Sequence, residues 1–263
     1  MTARKLARLM IFALSAYAAL AANAQETLSR LRATGPQALA IVYRCNPEHR
    51  ASLRQIMAGE GVERFEGWKR QGLLTDYRIL FNSYLDSETY DLLTLLTFRD
   101  YSGLSQWKVI ERTAPGALPN EALKLVNSAI TYSLDLVRSG VSKEPPKPGQ
   151  SVYFIIPYDY LIGTDDYLHY LDSYVIPQVH GWMDEKVLAR YSIYLSRYSA
   201  ARAWGSLLVL EYRDQDALGK REATVAKVRE RLKVKAAWLA ASESKQKVRV
   251  EKQAVIAEEL LAK

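Results

Sequence analysis

Residues 67–84 read GWKRQGLLTDYRILFNSY, and residues 181–198 read GWMDEKVLARYSIYLSRY. The two stretches share Gly-Trp, a leucine, Tyr-x-Ile and a final tyrosine, always 114 residues apart. The agreement runs outward from them without a gap. Over 38–139 against 152–253, sixteen paired positions are identical, among them Arg99-Asp100 with Arg213-Asp214. Chance pairing gives far fewer. The period exceeds the roughly 20–50 residues of solenoid and propeller units, so it marks a duplicated small domain.

Each repeat carries the same order of signals. Leu39 to Arg44 and Val152 to Tyr158 are short runs of β-branched and aromatic residues, read as strands. Helical stretches follow over about 48–71 and 165–186. In the first, Leu53, Ile56, Met57, Phe65 and Trp68 recur at helical spacing; in the second, Pro177 predicts a kink. Two adjacent strands come next: Leu74 to Tyr84 with Leu92 to Phe98, and Leu188 to Tyr198 with Ser206 to Tyr212. Asp100 and Asp214 then stand as N-caps for second helical regions over about 101–127 and 215–241. The last strands are expected at Ile130 to Val137 and Lys245 to Val250, and the charged end beyond as a solvated helix or a partner-binding tail. The order β-α-β-β-α-β, twice, defines an α+β fold: two tandem ferredoxin-like repeats, each a four-stranded antiparallel sheet with helices on one face. Each sheet leaves a face uncovered, and the two are expected to cover each other face to face.

The chain divides accordingly. Residues 1–24 read as a signal peptide: Arg4, Lys5 and Arg8, an apolar run from Met10 to Ala21, then Ala22-Asn23-Ala24. The run is too short to span a bilayer core of about 30 Å, and no other stretch reads as a membrane span. Cleavage predicts a periplasmic or secreted protein beginning at Gln25. Residues 25–138 form repeat 1, 139–150 (SGVSKEPPKPGQ) a proline-rich linker, and 151–263 repeat 2 with a C-terminal tail. The formal charge of +7 falls to +4 without the signal, with 33 basic and 29 acidic residues intermixed. That balance excludes the concentrated basic face of a nucleic-acid binder. Cys45 is the sole cysteine, so no internal disulfide forms, and its apolar run predicts a buried, unreactive thiol.

The pattern Gly-Trp, then Tyr-x-Ile-x-x-x-x-Tyr, running off a long first helix resembles the dimeric α/β-barrel superfamily. The nearest groups are the NIPSNAP-like and antibiotic-biosynthesis-monooxygenase-like ones. The resemblance covers both repeats. It implies that the two sheets pair as an intramolecular dimeric α/β barrel, with the chain a monomeric pseudo-dimer or a homo-oligomer of such units. It also implies a cavity between sheet and helices, where relatives bind aromatic polyketides, haem or other apolar molecules.

Candidate site residues concentrate in repeat 2. Ten of the seventeen tyrosines lie there, and tyrosine offers both an apolar body and a polar tip. His180 stands where repeat 1 has Glu66, so the halves differ at the end of the first helix. Trp182, Arg190, Tyr191 and Trp204 lie on or beside the central strands. Strand alternation sends Arg190 and Tyr191 to opposite faces, so only one of them can line a given cavity. Asp165 with His169, and His180 with Asp184, have the i,i+4 spacing of paired metal ligands, but a metal centre needs three or four convergent ligands and no further histidine is near. No metal is therefore expected. Haem needs only one axial histidine, which the chlorite dismutases of this superfamily supply from a helix, yet the motifs that surround it there are absent here. There is no phosphate loop, dinucleotide glycine pattern, nucleophile elbow or zincin helix. The leading expectation is a binder of a small apolar or aromatic molecule, held between the sheet and first helix of repeat 2. The alternatives are a cofactor-independent oxygenase-like enzyme on an aromatic substrate, with His180 or a tyrosine moving a proton, and a structural or oligomerising protein.

Overall fold

Strand β1 (Gln37–Cys45) is apolar on both faces. Ala38, Ala40 and Val42 point one way, Leu39, Ile41 and Tyr43 the other, and all are buried. A strand of that kind needs cover on both sides. The computed structural model, which describes residues 35–261 except 145, 147 and 148, supplies both. The expected signal segment, 1–24, lies outside the described residues.

The first half continues with a long helix α1 (47–70), β2 (Asp76–Asn82), β3 (Leu92–Phe98), α2 (Tyr101–Thr113), α3 (Asn120–Leu125) and β4 (Val126–Val141). The second has β5 (Val152–Tyr160), α4 (164–184), β6 (Leu188–Ser196), β7 (Ser206–Tyr212), α5 (Gln215–Gly219), α6 (Arg221–Leu232), α7 (Ala236–Val248), a short β8 (Arg249–Glu251) and β9 (Val255–Glu259). In each half the strands lie in the spatial order fourth, first, third, second. Eight strands close into one antiparallel barrel, β1-β3-β2-β9-β5-β7-β6-β4, and β8 pairs beside β5. Closure leaves few unpaired edges, which open sheets expose.

The expected face-to-face meeting is therefore corrected. The sheets join edge to edge at two seams, and their inner faces enclose a shared core. Leu80, Leu93, Leu95, Tyr132, Leu134, Tyr194, Leu207 and Val209 fill it. The helices cover the outer faces with two further cores. One is built on Leu53, Phe65, Phe98 and Trp107, the other on Tyr167, Tyr174, Trp182, Tyr191 and Val228. At about 25 cal/mol per Å² of buried apolar surface, either half alone would lose its share of the barrel core to water.

The stretch that decides the fold does so through backbone hydrogen bonds. Leu73 N–H donates to Trp68 O and Gly72 N–H to Lys69 O; in the second half Val187 donates to Trp182 O and Lys186 to Met183 O. This is the Schellman ending of a helix, with Gly72 (φ 75°) and Lys186 (φ 60°) in the left-handed region. Glycine accepts that conformation at no steric cost; lysine does not. The chain then enters β2 or β6. Tyr84 and Tyr198, which end the repeated pattern, are 63% and 69% exposed, so packing does not explain their identity. Asp100 caps α2, accepting from Ser102 and Gly103 N–H, and Asp214 caps α5, accepting from Ala217 N–H.

Three further expectations are revised. The break in α4 is a π-helical turn, Leu171–Val175, that lies before Pro177. An equivalent π turn, Met57–Gly61, interrupts α1, which has Glu63 in place of that proline. Proline is thus not its general cause. The last strand of the second half is also displaced. Ala38 pairs with Leu134, but Val152 pairs with Glu258, ten residues past the position the repeat offset assigns. Helix α7 occupies the extra length, so the charged end is strand β9 and closes the barrel. The short alternation in 245–250 was too brief to distinguish strand from helix. Finally, β4 runs on to Val141, into the stretch read as linker.

Candidate functional site

The end of α4 and the start of β6 bring two of the expected residues together. Tyr191, on the outer face of β6, directs its hydroxyl to His180 Nε2 at 3.2 Å. Beneath them runs β4, where a Cβ on Gly140 would stand 2.5 Å from the Tyr191 ring. Only a residue without a side chain lets the ring lie there. Burial raises the Tyr191 pKa; nearby Arg138 opposes that rise and Asp172 adds to it. Arg138 holds Asp172 in a fork, Nε to Oδ1 at 2.6 Å and Nη2 to Oδ2 at 2.7 Å. His180 is exposed as a residue, so the pair sits at the rim of the layer, with one side open to water.

The other candidates lie apart. Trp182 is buried in the same layer, and among the described residues its indole N–H finds no acceptor. Arg190 points into the barrel, with Nε 3.2 Å from Glu211 Oε2. Trp204 is also inside, stacked on Tyr132 with centroids 4.3 Å apart, near the opposite end of β7. Arg190 and Tyr191 thus face opposite ways, as strand alternation requires.

The layer expected to hold a ligand is filled by side chains. Tyr160, Tyr167, Tyr170, Tyr174 and Trp238 form a stacked ladder with successive centroids 4.5, 6.1, 5.3 and 5.4 Å apart. The Arg249 guanidinium lies 3.8 Å from the Tyr158 ring centroid and 5.4 Å from that of Tyr170. The i, i+3, i+7 spacing of Tyr167, Tyr170 and Tyr174 was a visible sign of one packed helical face.

A cavity of about 360 Å³ lies elsewhere, at the end of the β2–β9 seam. Glu66, Asp76, Arg78, Glu211, Glu258 and Glu259 are among its lining residues. Its floor is a network: Arg78 Nη1 donates to Tyr153 Oη at 2.6 Å and to Glu259, and Tyr153 donates to Glu259 Oε2 at 2.7 Å. Burial raises the Glu259 pKa against the pull of Arg78. Sequence reading missed this cavity, because its residues come from distant segments joined only when β9 closes the barrel. Cys45 is partly exposed; burial, then the Asp91 charge, pushes its pKa up to about 12, which keeps the thiol protonated.

With this geometry in place, the chain can be compared with solved structures. A candidate monooxygenase from Lactobacillus acidophilus NCFM superposes with a TM-score of 0.54 over 86% of this chain and 94% of its own, at 9% identity. An anthrone oxidase-like protein gives 0.52 over 86% and 91%, at 11% identity. A mutant chlorite dismutase from Candidatus Nitrospira defluvii, in complex with cyanide, gives 0.50 over 86% and 91%, at 9% identity. These are dimeric α/β-barrel proteins, and this chain has their fold. No protein-family model and no curated protein matches the sequence.

Haem can be tested against the residues present. His169 and His180 are both exposed on α4, and His180 Nε2 is engaged by Tyr191. The space between α4 and the sheet is filled by the tyrosine ladder, and the cavity carries five carboxylates against two cations and no histidine. These residues do not fit a haem and its anionic propionates. Among the described residues, no group of three or more His, Cys, Asp and Glu side chains could hold a metal ion, and no helix is long and apolar enough to cross a membrane.

Proposed function

We propose that this protein is an oxygenase-like enzyme that acts on a small phenol-bearing aromatic molecule without a bound cofactor. The observation that carries the reading is the His180–Tyr191 hydrogen bond, at a place where the first half has a carboxylate. A neutral imidazole accepts one hydrogen bond and donates another, whereas a carboxylate anion only accepts. At the rim of the layer, the pair can take a proton from an activated CH2 of a docked phenol-bearing molecule. The electron-rich anion then reacts with O2, and the hydroperoxide so formed loses water. The balance is one CH2 and one O2 consumed, one C=O and one water made, with the proton borrowed by the pair returned to the departing hydroxide. The fold shared with a candidate monooxygenase and an anthrone oxidase-like protein supports the reading.

The test is enzyme-dependent oxygen uptake with hydroxyanthrones, corrected for spontaneous oxidation. Loss of a proton-moving group costs about 10²–10⁴ in rate, so His180→Ala and Tyr191→Phe should both fall by that order. Binding of an aromatic molecule without turnover is the second reading, favoured by the unpartnered indole N–H of Trp182. A ligand that quenches tryptophan fluorescence but consumes no oxygen would select it. We further propose that the halves are a tandem duplication of one ferredoxin-like unit, supported by the shared strand order, and that the protein is exported after cleavage at Ala24. An intact mass that still contains residues 1–24 in the exported protein sinks the latter.

A further inference from the structure

The helical layer over the second half concentrates positive charge. From Lys220 to Lys247, across α6 and α7, nine residues are basic and three acidic, a net +6 beside +7 for the whole chain. The matching region of the first half, residues 101–125 across α2 and α3, holds three basic and two acidic residues. A mild balance along the chain thus conceals an uneven distribution.

Packing turns these charges outward. Val225, Val228 and Leu232 of α6 and Trp238 of α7 are buried, and Trp238 donates its indole N–H to Tyr174 O at 3.1 Å. Lys227 and Arg231 both reach Glu185, at 2.6 and 3.1 Å, and Arg229 donates to Gln178. Lys233 meets only Glu230, in an exposed pair of the kind that contributes little. Lys220, Lys235, Lys245 and Lys247 have no carboxylate partner among the described residues.

The turn between the two helices adds an apolar feature. Residues 233–237 are all exposed, and Val234, between two lysines, is 87% exposed, more than any other large apolar side chain among the described residues. Leu239 and Ala240 carry the exposed apolar surface into the first turn of α7. The turn belongs to the second half alone, because α7 fills the ten residues by which the last strand is displaced. Cations flanking an exposed apolar side chain suit a surface that is anionic on its face and apolar beneath. A nucleic-acid backbone would engage the lysines but offers Val234 no apolar depth.

We propose that the α6–α7 layer docks on an anionic phospholipid membrane, with Lys233 and Lys235 on headgroup phosphates and Val234 between them entering the acyl boundary. This surface does not depend on the chemistry of the His180–Tyr191 pair.

The probe is a phospholipid vesicle, of phosphatidylcholine alone or with about 30% phosphatidylglycerol to supply the negative surface. Backbone hydrogen exchange of the full chain is followed with and without each vesicle. The readout is local, so binding through the basic and apolar N-terminal residues is told apart from binding here. Anionic vesicles should slow exchange over 233–240, and neutral ones should not. Lys233→Gln with Lys235→Gln should weaken that protection about thirtyfold in lipid concentration, at about fivefold per cation near an anionic surface. Val234→Ser should weaken it about fivefold, through the apolar area that no longer enters the bilayer. Lys124→Gln removes a cation from α3 in the other half and should change nothing in 0.1 M salt, where charges beyond about 10 Å are screened. No protection over 233–240, or protection that survives the double lysine variant, would overturn the proposal. So would unchanged protection in Val234→Ser, and if a single-stranded oligonucleotide then protected the same residues, the surface would belong to nucleic acid instead.

Discussion

Tyr77 and Tyr191 occupy the same place in the two halves, and each hydroxyl reaches back to the end of the long helix before it. Their partners differ. Tyr77 donates to Glu66 Oε2 at 3.0 Å, and burial, that hydrogen bond and the Glu66 charge together raise its pKa. Tyr191 meets an imidazole, with the Arg138 cation easing its ionisation. The Tyr77 hydroxyl meets an acceptor that carries negative charge, and the Tyr191 hydroxyl a ring nitrogen. The seams diverge in the same way: β4 continues past Tyr191, while β9 stops short of Tyr77 and leaves a cavity. The two equivalent positions have different neighbours, Glu66 beside one tyrosine and His180 beside the other.

The largest expected effect comes from erasing that difference. His180→Glu installs the partner found in the first half and should lower oxygen uptake by about 10²–10⁴ while the barrel stays folded. Retained uptake would mean that the pair does not move the proton. Next in size is the paired glycine before each tryptophan. A Cβ on Gly181 would stand 2.5 Å from Val228 Cγ1, whereas none on Gly67 meets anything within 4 Å. Gly181→Ala should destabilise by about 1–3 kcal/mol through overpacking. Gly67→Ala should stabilise by up to about 1 kcal/mol through helix propensity. Urea unfolding measures both, and equal effects would contradict the unequal packing of α4 and α1.

A smaller effect, with opposite signs in the two halves, is expected at the helix ends. Gly72→Ala should cost about 1 kcal/mol and Lys186→Gly recover a similar amount, because a side chain in the left-handed region costs about 1–2 kcal/mol. Last is the order of ionisation. Both tyrosines have folded pKa values raised from 10.0, so the neutral forms contribute stability that is complete below pH 10. That stability is lost as pH rises through each folded value. Tyr191, with Arg138 nearby, should ionise before Tyr77 in a tyrosine 13Cζ titration; the reverse order would remove the electrostatic contrast.

Much of the barrel was legible because its signals are local. Alternation in 37–45 and 152–160, the Gly-Trp helix ends, and Asp100 and Asp214 each act within a few residues. The final strand was misplaced because its identity depends on which segment closes a seam, and no local pattern in 245–263 says so. The His180–Tyr191 pair was half legible: the exchange of Glu66 for His180 was visible, but the reach to Tyr191 needed the fold. The tyrosine excess pointed to a pocket, yet the ladder packs the layer instead. The cavity left no sign, because Glu66, Arg78, Glu211 and Glu259 are far apart in sequence.

The most direct measurement is oxygen uptake with 1,8-dihydroxyanthrone by protein dialysed against a chelator and free of haem absorbance, wild type beside His180→Ala. The account predicts uptake by the wild type, one O2 per ketone formed, and its loss in the variant. Uptake that follows residual haem, or that is the same in both proteins, would contradict it.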